Sequence, residues 1–483
     1  MSIKKNFIYN LAYQMLVIII PLITTPYVSR VIGADGIGTQ AYTVSIANYF
    51  VIFSILGINN YGSRSIAMVR NDKNRLSKTF LGIYLFQLFM SVITVIIYLI
   101  YVLLFVNTNK LFFIIQIIYL VSAMLDINWF FFGIEEFKLT VVRNSIIKIL
   151  SVISIFIFVK SSSDIYIYSL ILALGNLISQ LVLWGFIKKH IKFTYVSIDD
   201  IKSHIKPIFI LFIPVLAVSI YKIMDKIMLG SLSNMTQVGY FENSEKIINI
   251  PMAIITALAT VMLPRMSNLQ ANGEQEKSEK YIEFSLEFVM FIGFGAMFGL
   301  IGVSPNLIPI FLGDKFIECI AIVSLMSIVI VFAGWANVIR TQFLIPNKMD
   351  KVYIISTTLG ASVNLLFNLL LIGKFGAIGA TISTIMAEAI VAIYQTIKVR
   401  NYLDILNYIK RIIFYIIPGI IMYLSIHFIG DILGNSIISG IIQLILGAII
   451  YITVSLVYFI VTKNNIVLNI IRKINNKIIK IIS

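Results

Sequence analysis

The chain is a succession of long apolar runs separated by short polar breaks. The runs lie at roughly 7–32, 38–62, 79–106, 111–133, 140–160, 164–187, 207–231, 237–263, 283–304, 318–343, 352–373, 376–398, 410–430 and 437–462. Each is about 20 residues or longer, enough to cross a hydrocarbon core about 30 Å thick as a helix. In lipid every backbone N–H and C=O must be paired internally, and a helix does this within one segment. A β-barrel would show segments of about ten residues alternating apolar and polar, whereas these runs are continuous and rich in Ile and Leu. The pattern predicts an all-α polytopic membrane protein of about 14 transmembrane helices. The first run continues from Phe7 past Pro26 without a small-residue cleavage site. It is too long for the apolar region of a secretion signal and is expected to be the first span.

Composition agrees: 59% of the 483 residues are hydrophobic and 12% charged, against about 25% charged in a soluble domain. The net charge of +16 could point to nucleic acid, but its placement argues for topology. Basic residues crowd the connections after even-numbered runs: Arg64, Arg70, Lys73, Arg75 and Lys78; Lys188, Lys189, Lys192, Lys202 and Lys206; Arg340, Lys348 and Lys351; Lys398, Arg400, Lys410 and Arg411. This is the positive-inside asymmetry, and it predicts cytoplasmic N- and C-termini with no role for nucleic acid. The tail, where Ile474, Ile478, Ile479 and Ile481 alternate with lysines, reads as an amphipathic helix on the anionic inner leaflet. The single Cys319 excludes an intramolecular disulfide and reads as a small core residue.

The outside connections, among them 33–37, 106–110, 160–164, 232–236, 304–316, 373–375 and 430–436, are short. A membrane enzyme acting on glycans at the outer face needs a sizeable external loop for its active site, and none is present. Whatever the chain handles is handled inside the membrane. No P-loop, Gly-x-Gly-x-x-Gly fingerprint or kinase motif occurs, so gradients or substrate supply would drive it.

A short repeat follows runs one and seven: Ile32-Gly33-Ala34-Asp35-Gly36-Ile37-Gly38-Thr39-Gln40-Ala41-Tyr42 and Leu229-Gly230-Ser231-Leu232-Ser233-Asn234-Met235-Thr236-Gln237-Val238-Gly239-Tyr240. Six runs separate the copies, so two six-helix halves would run parallel, a transporter architecture with the substrate site between halves. Pro21, Pro26, Pro214, Pro251, Pro264 and Pro418 interrupt helices, which permits bending where neighbours or water satisfy the freed carbonyls.

Ionisable residues inside spans are expensive and face a partner or a wet cavity. Lys222, Asp225 and Lys226 share one face of run seven; Glu242, Glu245 and Lys246 repeat the arrangement on run eight. The spacing is symmetric about Asn234, which brings both sets to similar depth. Two readings stand. In one, Lys226 with Glu242, and Lys222 with Asp225 or Glu245, neutralise each other as a structural clamp. In the other, the lysines attract an anionic phosphate while the carboxylates load protons or Na⁺. Asp126 in run four needs a partner, and the adjacent Trp129-Phe130-Phe131-Phe132 reads as an interfacial aromatic belt. Glu388 is either a cavity-facing ion site or a hydrogen-bonded structural acid. Arg30 either snorkels to headgroups or grips a phosphate; Arg64 reads as an ordinary inside charge. His190, His204 and His427 are scattered, and no grouping supports a metal site.

Four patches now carry a resemblance: Pro21-Leu22-Ile23-Thr24-Thr25-Pro26-Tyr27-Val28-Ser29-Arg30-Val31-Ile32-Gly33 with Gly36-Ile37-Gly38; Trp129-Phe130-Phe131-Phe132-Gly133-Ile134-Glu135; Asp225-Lys226-Ile227-Met228-Leu229-Gly230 with Val238-Gly239-Tyr240; and Gly376-Ala377-Ile378-Gly379-Ala380-Thr381. In this order and spacing they resemble the Wzx-type polysaccharide flippases of the multidrug/oligosaccharidyl-lipid/polysaccharide exporter superfamily. The resemblance implies an N-lobe over 1–205, a C-lobe over 206–400, and two appended spans with a basic tail over 401–483. It implies a cationic central cavity for an undecaprenyl-pyrophosphate-linked oligosaccharide, moved to the outer face of the plasma (inner) membrane. It favours Arg30, Arg64, Lys222 and Lys246 as pyrophosphate or sugar contacts. Asp225, Glu245, Asp126 and Glu388 are then candidates for coupling to H⁺ or Na⁺, and Lys226–Glu242 for a structural pair. No cofactor is expected, and the candidate partners are membrane lipids, a polysaccharide polymerase and a chain-length regulator. The competing readings are a lipid II-type flippase, a drug/Na⁺ antiporter and, of another class, a membrane polysaccharide polymerase.

Overall fold

The computed structural model describes residues 3–434 and 436–461; the side chains of 3–14, 214, 217–218, 220–222 and 459–461 lie outside the description. So does the tail expected to form an amphipathic helix. The described residues form helices, with no strand among them: α1 (Ile3–Ile55), α2 (Ile58–Val69), α3 (Lys73–Phe105), α4 (Lys110–Met124), α5 (Asn128–Gly133), α6 (Phe137–Phe158), α7 (Ile165–Ile187), α8 (Ile198–Leu232), α9 (Met235–Ala271), α10 (Gln275–Phe311), α11 (Cys319–Val338), α12 (Asp350–Val399), α13 (Ile405–Ile412), α14 (Ile416–Leu433) and α15 (Ile437–Val461). Eleven stretches among the described residues are long and apolar enough to cross a membrane. Two of these, 55 and 50 residues long, would far exceed one crossing of about 30 Å at about 1.5 Å per residue. Each is divided at a glycine with non-helical backbone, Gly33 (φ 79°, ψ 174°) and Gly376 (φ 53°, ψ −129°). With α8 added, the crossings number about fourteen.

Those two glycines shorten the expected outside connections. Where the sequence suggests loops over 33–37 and 373–375, a single residue with positive φ breaks the helix and the chain resumes it at once. Such φ values are accessible to glycine at little steric cost because it lacks a Cβ. On the other side the helices run longer than the apolar pattern suggests. α8 starts well before residue 207 with a capping box, in which Ser197 and Asp200 exchange side-chain and backbone bonds. The Ser197 hydroxyl, then the Lys78 ammonium 2.9 Å away, hold Asp200 at about 2, well below the usual carboxylate range.

The surface is inverted relative to a soluble protein. Leu103, Leu104 and Phe105 at the end of α3 are 64%, 69% and 71% exposed, and similar residues cover most helices. Water would not tolerate apolar patches on this scale; lipid is their solvent. The chain is a multi-span membrane protein.

The helices pack as two compact units. One contains the chain up to Glu242 together with Asn368–Ala377; the other contains Asn243–Phe367 and the chain from Ile378 onward. The division between the units falls inside α9. The first unit is centred on Ile66, Phe80, Trp129, Phe130, Phe131 and Ile208. This corrects the expected aromatic belt: Trp129, Phe130 and Phe131 are buried and only Phe132 is exposed. The chain leaves helix at Leu125–Ile127 and re-enters as α5, which turns the rings inward. Gly62 of α2 admits the indole, since a Cβ there would lie 2.5 Å from Trp129 Cε3. The indole N–H donates to Gln87 Oε1 at 3.0 Å. In the second unit α14 and α15 pack on α10 around Val303, Met422, Ile426 and Tyr451, and the Tyr451 hydroxyl donates to the Phe291 carbonyl at 2.8 Å.

Candidate functional site

The charged hairpin of α8 and α9 is the densest polar feature of the first unit. Asn234 caps α9 by accepting from the Gln237 amide at 3.0 Å, which fixes the register of the turn. Lys226 and Glu242, equidistant from that cap, then meet with Nζ 2.5 Å from Oε2, and both side chains are less than a fifth exposed. Asp225, one position earlier, is buried and accepts from Asn368 Nδ2 on α12 at 2.6 Å. Neighbouring residues of α8 thus take different partners: the ammonium is matched by a carboxylate and the carboxylate is held by an amide.

The repeated turns pack against each other through their glycines. A Cβ on Gly38 would fall 1.7 Å from the Met235 carbonyl oxygen, and one on Gly239 1.9 Å from that of Ala34. The contact pairs Gly38 with Gly239 as equivalent positions, four residues from the sequence match of the two Thr-Gln pairs. Gln237 extends the junction, because its Oε1 accepts from the Ala377 amide at 2.8 Å just after the Gly376 break. Three helix starts, at 34, 235 and 377, are therefore stitched within this unit by bare backbone and one amide side chain.

Asp126 sits at the α4–α5 break and has the partner it needs. Both the backbone amide and the side-chain amide of Asn128 donate to Asp126 Oδ1, at 2.8 and 2.6 Å. Asn128 Oδ1 in turn accepts from Arg143 Nη2 of α6 at 2.8 Å, and Arg143 Nη1 donates to the Ser179 carbonyl of α7 at 2.8 Å. An acid and a base inside the membrane are thus joined through an asparagine.

The remaining candidates are less enclosed. Arg30 is exposed and donates to the Pro26 carbonyl one turn back at 3.4 Å; Arg64 is exposed on α2. Glu245 and Lys246 on α9 and Glu388 on α12 are partly buried in the second unit. The side chain of Lys222 lies outside the description. Sequence reasoning missed Asn368, Asn128 and Gln237, uncharged amides that a search for charges passes over. It also missed Arg143, whose position within the fifth apolar run was signal enough. No group of three or more His, Cys, Asp or Glu among the described residues could hold a metal ion.

About fourteen crossings, glycine-hinged helix pairs and paired charges within the spans define a membrane transporter. The chain belongs to the polysaccharide biosynthesis protein family, the flippase family its motifs resemble, with residues 3–270 matching the family model. A relative from Escherichia coli (strain K12), described as "Putative O-antigen transporter", is 25% identical over 406 residues, covering 83% of this chain and 97% of the relative. The fold is shared with the lipid II flippase MurJ in an inward closed conformation, at TM-score 0.76 and 17% identity over 95% of this chain and 99% of that one. An inward-facing multidrug transporter of the MATE family also shares it, at TM-score 0.58 and 14% identity over 81% of this chain and 99% of its own. The chain is a transport protein of polysaccharide biosynthesis and not an enzyme.

Proposed function

We propose that the protein flips an undecaprenyl-pyrophosphate-linked oligosaccharide from the cytoplasmic to the outer face of the plasma membrane, by alternating access coupled to H⁺ or Na⁺. The observation that carries the reading is the Asp225–Lys226–Glu242 group, with Asp225 buried and the pair largely shielded, on the α8–α9 hairpin in a chain of this family. Charge retained inside a membrane serves a substrate, an ion or a partner charge. Lys226 faces Glu242, and in this reading Asp225, which accepts from Asn368, is the carboxylate where a proton or Na⁺ would load. The relative described as an O-antigen transporter supports the substrate class. In this reading Arg30, Arg64, Lys222 and Lys246 contact pyrophosphate or sugar, both termini are cytoplasmic, and a polymerase and chain-length regulator act on the delivered units.

Deletion in the native host, followed by analysis of lipid-linked intermediates, tests this. Undecaprenyl-linked repeat units should accumulate on the cytoplasmic face. Shortened polymer with normal export would favour a polymerase instead, and accumulation of lipid II would favour the lipid II-type reading.

A further inference from the structure

The second unit contains an apolar slot of about 350 Å³ lined by Phe294, Phe332, Trp335, Ile397, Ile409 and Ile413, among others. The lining comes from α10, α11, the last turns of α12 and the start of the α13–α14 segment. Both of those latter stretches flank the basic connection around Arg400. The slot is therefore close to the membrane surface at that connection, the leaflet that positive-inside charge marks as cytoplasmic. Its wall is fixed, because Trp335 Nε1 donates to Thr396 Oγ1 at 2.7 Å.

Two lysines stand next in sequence to lining residues. Lys398 follows the lining residue Ile397, and Lys410 follows the lining residue Ile409. Both lysines are exposed. Lys398 leans over the Tyr394 ring, 5.4 Å from its centroid. The neighbouring Arg411 is engaged by Glu283 and by Glu287 at 3.4 Å. α13 is amphipathic. Ile405, Tyr408 and Ile412 are buried, while Leu406 at 74% and Ile409 at 42% are exposed beside Lys410. That is the composition of a helix lying at a lipid–water boundary.

We infer that this slot is a binding site for an anionic phospholipid of the inner leaflet, with one acyl chain in the slot and its phosphate between Lys398 and Lys410. Basic pockets between helices on the cytoplasmic side recognise anionic headgroups in this way. The lipid is distinct from the transported cargo, so the site stands whether or not the flippase reading does.

Trp335 reports on occupancy. The full chain is reconstituted in phosphatidylcholine vesicles carrying a small fraction of brominated phosphatidylglycerol, and tryptophan emission is read. A quenched component should be present in the wild type and absent from Trp335→Phe. Lys398→Gln with Lys410→Gln should lower the affinity behind it on the order of tenfold, from the attraction each lysine exerts on an anionic lipid. Equal quenching by the same fraction of brominated phosphatidylcholine would overturn headgroup recognition. Absence of any Trp335-dependent component would overturn the site. Relief of the quench by undecaprenyl phosphate would assign the slot to an isoprenoid tail, and the inference would fall.

Discussion

Gly38 and Gly239 occupy equivalent positions at the starts of two helical segments, and each lies against a main-chain carbonyl of the other, at Met235 and Ala34. No side chain fits between them. A methyl at either site would fall inside van der Waals distance of backbone, which cannot rotate away as a side chain can. Gly38→Ala and Gly239→Ala should each force the two starts apart, at a cost typical of overpacking, about 1–3 kcal/mol. Melting in detergent reads the cost: either alanine variant should melt below the wild type. Unchanged melting in both would mean the two starts are not held in this contact.

Lys226 and Glu242 form a pair largely shielded from solvent, and removing one partner strands the other. Lys226→Met or Glu242→Gln alone should lower stability by about 3–5 kcal/mol, while the double variant recovers most of the loss. Membrane abundance and melting in detergent measure this. Lys222→Ala and Lys246→Ala should behave oppositely, abolishing transport while abundance stays normal. Unchanged transport in both would remove them from the substrate path.

Much of the fold was legible because the signals that set it are local. About fourteen apolar runs of spanning length can only satisfy their backbones as helices, and the spacing about Asn234 placed Lys226 opposite Glu242. What escaped depends on contacts distant in sequence. The Trp129–Phe131 run reads as an interfacial belt until the break at Leu125–Ile127 and the bare face of Gly62 turn it into core. Asn368 lies 143 residues from Asp225, and nothing in either neighbourhood announces the pairing. The repeat was visible, but its register follows the glycine packing at Gly38 and Gly239 and not the matched Thr-Gln pairs.

Asp225 is a buried carboxylate that accepts from the Asn368 amide at 2.6 Å. If it carries the coupling ion, Asp225→Asn should leave the fold intact, since amide–amide pairing replaces the bond, yet uncouple transport from the gradient. Uptake into vesicles with and without imposed Na⁺ and pH gradients distinguishes the cases. A variant that responds to gradients as the wild type does would clear Asp225 of that role.

The Asp126–Asn128–Arg143 chain predicts strong coupling. Arg143→Ala should destabilise by about 3–5 kcal/mol, because it leaves the acid without its distant counter-charge. In Asp126→Asn the same arginine change should cost less. A double-mutant cycle on melting in detergent isolates the difference, and additive losses would show that Asn128 does not transmit the interaction.

At the end of the second span, Tyr61 Oη on α2 shares a hydrogen bond of 2.7 Å with Nδ1 of His204, which lies on α8 ahead of the seventh span, and their rings meet edge to face. Gly82 of α3 leaves room for the imidazole, since a Cβ there would lie 3.2 Å from it. Burial pushes His204 below its ordinary value, against the opposing pull of Asp200. Lys78 of α3, paired with Asp200, is the other charge nearby. A lowered histidine pKa means the folded state prefers the neutral ring, so the unfolded chain binds the proton more readily. The contribution is present above the unfolded pKa of about 6.5 and is lost as pH falls through the folded value. Melting in detergent should therefore drop as pH goes from about 7.5 to about 5.5, and more steeply in the wild type than in His204→Gln. Parallel profiles for the two proteins would show that His204 does not govern this contact.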